Sequence, residues 1–324
     1  MSRPRAQLCS LLAGPIKAFL QYKIALGCKY RTEAAALHLL DAYIADQRVV
    51  ALDQLDSRLL DAFLASRPRE HARSYNHLVG TTRRFFDWAV MQGMVSRNPV
   101  IARPRRVTGQ RIPYLFSLDD AKRLLEAARG MRTRPKAPHR ALVYEMVFAL
   151  LYGLGLRVGV VTRLLVGDVD FERAMLSVRD TKFYKSRLVP FGPRMGDRLA
   201  KYVNRRFGPH ADPETPLFSF TKRGAVHEGT ISLTFHSLLP HLGLNVPAGV
   251  CAPRLHDLRH AFAVGTLLRW YRSGIDPNTR LIQLTTFLGH ADPASTAVYL
   301  TITEDLLREA DRRFRVFAPG GGQS

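Results

Sequence analysis

The chain has 324 residues, 46% of them apolar, with 48 basic against 27 acidic side chains and a net charge of +21. That length and apolar content exclude a disordered chain and allow two ordinary domains around real hydrophobic cores. The charge asks for a polyanionic partner, and nucleic acid fits better than a membrane surface because the basic residues are spread along the chain and not gathered beside an apolar anchor.

In chain order, apolar residues at helical spacing predict helices over 16–26 (Ile16, Phe19, Leu20, Ile24), 33–44 (Ala36, Leu37, Leu40, Tyr43), 56–64 and 70–91 (Leu78, Phe85, Phe86, Trp88). The last of these carries Arg73, Arg83 and Arg84 on its other positions. They form either a DNA-contacting face or a solvated one. A helical domain over 1–100 is expected to close at Asn98-Pro99, because proline disfavours helix at the residue before it. Residues 101–114 read as a linker holding Arg103, Arg105, Arg106 and Arg111 with Pro104, Pro113 and no acidic residue. It is either a positive strap across a phosphate backbone or a plain hinge.

Residues 115–324 form the second predicted domain. Ser117 with Asp120 three positions on is a capping-box start, and helical patterning continues through Leu156. The run 141–156 is the most apolar of the chain. It contains Glu145 and is too short to span a bilayer, so it reads as a buried helix. Short strands are expected over 174–178 and 187–191, around a basic and aromatic turn that carries Lys182 and Lys185. Helices resume near Met195, Gly229, His256 and Asn278, and an amphipathic helix is expected over 303–314. The fold class is therefore mainly α with a small antiparallel β-sheet. Cys9, Cys28 and Cys251 are odd in number and widely spaced, which argues for a reducing compartment without a disulfide framework or metal site. With no apolar leader after Met1, the expectation is a cytoplasmic, nucleoid-associated protein with no membrane partner.

The chemistry gathers in the second half. Arg157 follows the apolar helix in Gly155-Leu156-Arg157. His256 and Arg259 stand three apart, a spacing that puts both on one helix face and hence at one phosphate, although His256 could equally be a cap or core histidine. Lysine in a turn can serve as a general acid once its pKa falls, and either Lys182 or Lys185 could do so. Tyr299 lies nine residues after His290 in Leu288-Gly289-His290. A phenol with a pKa near 10 needs cationic neighbours to act as a nucleophile, but it is a good covalent carrier. Two arginines, two histidines, a lysine and a tyrosine can bind a phosphate, activate the phenol and protonate a leaving alcohol.

In this order, Arg157, Lys182, His256 with Arg259, His290 and Tyr299, the chain resembles the tyrosine recombinases of the phage-integrase type over about residues 115–315. The stretch from Lys182 to Val189-Pro190 and the Leu-Gly-His carry the likeness, and Asp168 and Thr296 also stand where such proteins often have them. The resemblance implies an N-terminal core-binding domain and a mixed α/β catalytic domain. It also implies cleavage and rejoining of DNA through a 3′-phosphotyrosine intermediate, for integration, excision or transposition of a mobile element, without a cofactor. The implied partner is double-stranded DNA with inverted-repeat sites, bound by a homotetramer or together with a related recombinase, and the 303–314 helix is a candidate for packing on a neighbouring protomer. Little sequence precedes the first helical pattern, which fits a recombinase without an arm-site domain. One departure stands out: the acidic residue often found three positions after the first arginine is here Val160. It prompts the alternative of a non-catalytic DNA-binding factor, and the shared chemistry prompts that of a type IB topoisomerase.

Overall fold

The structure, a computed structural model, describes residues 7–107, 112–179, 186–209, 211–221, 224–290 and 292–301, with residues 300 and 301 described in their backbone alone. It divides into two compact units, Met1–Gln110 and Arg111–Ser324. The first holds α1 (Ala13–Ala25), α2 (Arg31–Asp46), α3 (Ser57–Ala65) and α4 (Ala72–Met91). Their apolar stripes meet in one core of Ile16, Phe19, Leu37, Leu40, Leu60, Phe63, Phe85 and Phe86. Phe19 sets its ring edge-on to Phe85 at 5.6 Å, a geometry that adds to area burial. Asp41, almost wholly buried, accepts from Cys9 N, Ser10 N and Ser10 Oγ and so ties the N-terminal segment to α2.

The first half of the expected linker is docked on α4. Arg83 Nη2 donates to Ala102 O at 2.5 Å, and the Asn76 amide pairs with both main-chain groups of Arg105 at 2.7 and 2.8 Å. The Arg105 guanidinium stacks 4.0 Å over the Tyr75 ring. The composition suggested a positive strap or a plain hinge, and the side-chain amide supplies backbone hydrogen bonds that composition does not reveal.

The second unit starts with α5 (Leu118–Arg129), whose predicted capping box is present: Asp120 N donates to Ser117 Oγ and Ser117 N to Asp120. Gly130, Pro135 and Pro138 separate α5 from a second helix, α6 (Arg140–Gly153), which lies where the buried helix was expected over 141–156. The second helix is apolar nearly all round and is buried nearly all round, between α5, α8 (Pro193–Phe207) and α10 (Asp257–Arg272). It ends so that Gly155 takes φ +57, a left-handed turn that brings its backbone against the Phe262 ring where a Cβ would collide. The short α7 (Val158–Val161) follows, with Arg157 as its N-cap.

A three-stranded antiparallel sheet comes next, in the order β1 (Val169–Asp170), β2 (Met175–Val178), β3 (Arg187–Pro190). Leu176 pairs with Val189 and Val178 with Arg187. The β2–β3 pair matches the two short strands expected around the basic turn, and β1, only two residues long, was below what periodicity can detect. After α8 come α9 (Glu228–Leu238), α10, α11 (Pro277–Leu288) and the single-turn α12 (Ala294–Ala297). The helix expected over 303–314 lies outside the described residues. Among the described residues no helix is long and apolar enough to cross a membrane, and the three cysteines are free.

Candidate active site

The C-terminal end of α11 organises the site. Gly289 takes φ +67, His290 N donates to Thr285 O and Gly289 N to Thr286 O, the two bonds of a Schellman motif. This satisfies Thr285 and Thr286 and leaves the next three carbonyls, at the negative end of the helix, without helical donors. Arginines take all three. Arg157 Nη1 donates to Gly289 O at 2.8 Å, Arg259 Nη2 to Leu288 O at 2.7 Å, and Arg187 to Phe287 O and Leu288 O at 3.0 and 3.2 Å. Arg259, 1% exposed, also donates from Nη1 to Gly155 O at 2.6 Å, so the left-handed turn after α6 is one of its anchors. Its Nε is buried without a hydrogen-bond partner.

This packing supplies what holds Arg157 in the absence of an acidic residue at 160. Val160 is buried in the hydrophobic core, and the guanidinium is oriented by a main-chain carbonyl, not by a carboxylate. The three guanidiniums are close enough to repel. Burial first and then the charge of Arg157 push the Arg187 pKa down to about 10, and burial followed by Arg157 pushes Arg259 down to about 9. Burial also lowers Arg157. All three remain protonated at neutral pH. Cations held together in this way form a site electrostatically prepared for an anion.

Tyr299, 3% exposed, reaches this cluster from the 3₁₀ turn Val298–Thr301. Its hydroxyl stands 2.8 Å from His260 Nδ1, and the Arg259 guanidinium lies against it. Burial raises the phenol's pKa more than Arg259 and Arg157 lower it, so the resting hydroxyl is protonated. The nitrogen that faces the phenol belongs to His260 and not to His256. His256 is the N-cap of α10, and its ring stands edge-on to His260 at 4.8 Å. The His260 Nε2 lies 4.0 Å from Asp257, a carboxylate only 2% exposed.

His290 links to Thr296 Oγ1 at 2.7 Å, and Thr285 donates to the same hydroxyl at 3.0 Å. The imidazole therefore hangs from two helices at once, and its ring lies nearly parallel to that of Tyr299 at 6.3 Å. Burial, then Arg259 and Arg157, push the His290 pKa down to about 4. His256 is open to water on one side, and desolvation, then His260 and Arg259, lower it in the same direction.

Of the residues singled out in the sequence, Arg157, His256, Arg259, His290 and Tyr299 converge. Lys182, Lys185 and Arg111 lie outside the described residues. Asp168 is buried away from the cluster, where it accepts from Leu165 N and pairs with Arg179. Two further residues belong to the site. His260 was visible as the histidine beside Arg259, and Arg187 as the first residue after Ser186 at the second predicted strand, but neither had a spacing that marked it. In the first unit, Arg83, Arg84 and Arg105 donate to its own groups, Arg84 Nε to Tyr30 Oη at 3.1 Å and Arg105 Nη1 to Arg69 O at 2.8 Å. Arg73, Arg103 and Arg106 are exposed.

A mainly helical domain with a small sheet, presenting clustered arginines and histidines to a buried tyrosine, is the architecture of a phosphoryl-transfer enzyme with a tyrosine nucleophile. The phage integrase family model matches residues 115–305. A putative integrase/recombinase, y4rB, from Sinorhizobium fredii is 41% identical over 214 residues, covering 65% of this chain and 67% of the relative. A second from the same organism, y4rE, is 30% identical over 314 residues, 96% of this chain and 97% of the relative. Among solved structures, a lambda integrase dimer bound to a COC′ core site shares the fold with a TM-score of 0.62 at 20% identity, covering 89% of this chain and 76% of that one. The chain belongs to the phage integrase family. It is a tyrosine-type DNA strand transferase of site-specific recombination.

Proposed function

We propose that Arg157 and Arg259 clamp the non-bridging oxygens of a scissile DNA phosphate and stabilise the charge that builds in its pentavalent transition state. His290 is the third donor to that phosphate. Tyr299 attacks in line, giving a 3′-phosphotyrosine and a free 5′-hydroxyl, and its proton passes to His260, with His256 behind it in the relay. Lys182 protonates the departing 5′-oxygen. A 5′-hydroxyl of a partner strand then reverses the steps. The energy of the broken bond stays in the phosphotyrosine, so the reaction as drawn asks for neither metal nor nucleotide. The observation that carries this reading is the buried cluster of mutually repelling guanidiniums around a phenol hydrogen-bonded to an imidazole.

The DNA is duplex with inverted-repeat sites, and a homotetramer, or an assembly with a related recombinase, joins two of them. The lambda integrase solved as a tetramer on a Holliday junction supports this assembly by analogy of fold. Arg73, Arg103 and Arg106 are proposed as backbone contacts, with Arg83, Arg84, Arg105, Arg111 and Lys185 as further candidates, and residues 303–314 as the contact to a neighbour. The biological role is movement of a mobile element, which the description of the two Sinorhizobium relatives as putative integrase/recombinases supports. A cytoplasmic, nucleoid-associated location follows from that role.

The test is covalent capture. The protein is incubated with fragmented genomic DNA, denatured, and the DNA that remains attached is sequenced. The native chain should yield a defined site joined through its 3′ end to Tyr299, and Tyr299→Phe should yield none. His260→Gln should slow capture on that site by roughly 10²-fold, and more than His256→Gln. Adducts of undiminished yield from Tyr299→Phe would remove the nucleophile from the scheme.

A further inference from the structure

Arg187 stands on β3, outside the set of residues that the family pattern supplied, yet it has the most unusual surroundings of any arginine in the site. Its Nε donates to Phe287 O and its Nη2 to Leu288 O, two of the three carbonyls that the Schellman motif leaves open at the end of α11. No other side chain among the described residues bonds Phe287 O, while Leu288 O is shared with Arg259. The next residue, Gly289, has no Cβ, and a Cβ there would run into Arg187 Nη1 and lie 2.6 Å from its Cζ. The guanidinium therefore fills the side-chain space of the glycine in Leu-Gly-His. Burial and the charge of Arg157 act against its ionisation, so a cation is kept here at a cost that its two carbonyl bonds offset.

We propose that Arg187 is a positioning residue of the strand-transfer reaction. It fastens β3 to the end of α11 and thereby fixes Gly289 and His290. Gly289 O orients Arg157, Leu288 O orients Arg259, and His290 follows directly in the chain, so all three phosphate donors take their places from the peptide units that Arg187 holds. Without it Phe287 O loses its partner and Leu288 O keeps only one. The turn then gains freedom where displacements on the order of 1 Å cost about 10²-fold in rate. Two bonds in a planar fork are needed, which lysine cannot reproduce.

The inference rests on the proposed phosphotyrosine chemistry, and the experiment separates the two. The probe is a nicked duplex bearing the site recovered by covalent capture. Adduct formation is followed in a single turnover at saturating DNA, and affinity separately by fluorescence anisotropy. The native chain and Tyr299→Phe serve as controls, and absence of adducts from the native chain overturns the chemistry and not the positioning. With adducts present, Arg187→Gln and Arg187→Ala should slow the saturated rate by about 10²-fold and Arg187→Lys by about 10-fold, while Kd for the duplex changes less than about threefold. Gly289→Ala should be slow as well, and the Arg187→Ala, Gly289→Ala pair no slower than the worse single variant, because both changes release the same contact. Circular dichroism at the assay temperature establishes that each variant is folded. Unchanged rates in folded Arg187→Ala, a loss confined to Kd, or full rescue by lysine would each overturn the proposal. So would losses that add in the double variant.

Discussion

The two units use arginine in opposite ways. In the first, Arg84 and Arg105 are exposed at the surface, lean on Tyr30 and Tyr75, and bond groups of their own unit. Water screens each from the next. In the second, Arg157, Arg187 and Arg259 are withdrawn from solvent and share the carbonyls at one helix end, and after burial the charge of Arg157 lowers the pKa of the other two. Exposed charge makes a protein soluble and attractive to DNA at a distance. Buried charge set against a helix end makes a place electrostatically prepared for an anion. The net charge of +21 does not tell these apart.

The largest effect expected from that contrast is on chemistry. Arg157→Ala should lower the single-turnover rate of adduct formation at saturating DNA by about 10²–10³-fold, the usual result of deleting one donor to a developing oxyanion. Arg84→Ala should leave that rate within about threefold and shift stability by no more than about 0.5 kcal/mol. Equal losses in the two variants would mean that burial does not mark the working arginines.

Acid should separate the units next. The folded state keeps His290 neutral down to about 4, and lowers His256 in the same direction, while the unfolded chain takes up these protons near 6.5. The stabilising contribution of a depressed histidine pKa is complete above about 6.5 and disappears as pH falls towards 4. Each unit has one tryptophan, Trp88 and Trp270. Thermal unfolding of Trp88→Phe, read through Trp270, should therefore lose on the order of 5 °C between pH 7 and 5, more than Trp270→Phe read through Trp88. His290→Gln should reduce the loss. An identical acid response at both reporters would contradict the placement of these imidazoles among cations.

The smallest effect concerns DNA affinity. Replacing Arg73, Arg103 or Arg106 by Gln should each reduce the slope of log affinity against log salt by about 0.9, with base preference unchanged. A change in site preference, found by repeating covalent capture with the variant, would instead place that side chain on a base edge.

Much of the scaffold was legible because its signals are local. Ser117 and Asp120 announced a helix start, the apolar run around Val147 announced a buried helix, and the two short segments around a basic turn announced a strand pair. Five of the site residues were legible because their order along the chain carries the family resemblance. The docking of Arg105 on α4 was missed because the partner, Asn76, is 29 residues away and chemically unremarkable.

By itself, then, the sequence determined the class of chemistry: residue types of the required acidity, in a recognisable order, on a chain charged to meet DNA. Tertiary structure alone decided how those groups are tuned and which neighbour serves which. His260 and not His256 faces the phenol: the two share one face of α10 a turn apart, and the far end of the chain brings Tyr299 to the second of them. Arg187 enters the site because α11 ends in a glycine whose missing side chain leaves room for it. Hydrogen bonds and charge repulsion act over a few ångströms of space, and residues 100 positions apart in the chain acquire such distances only when it folds.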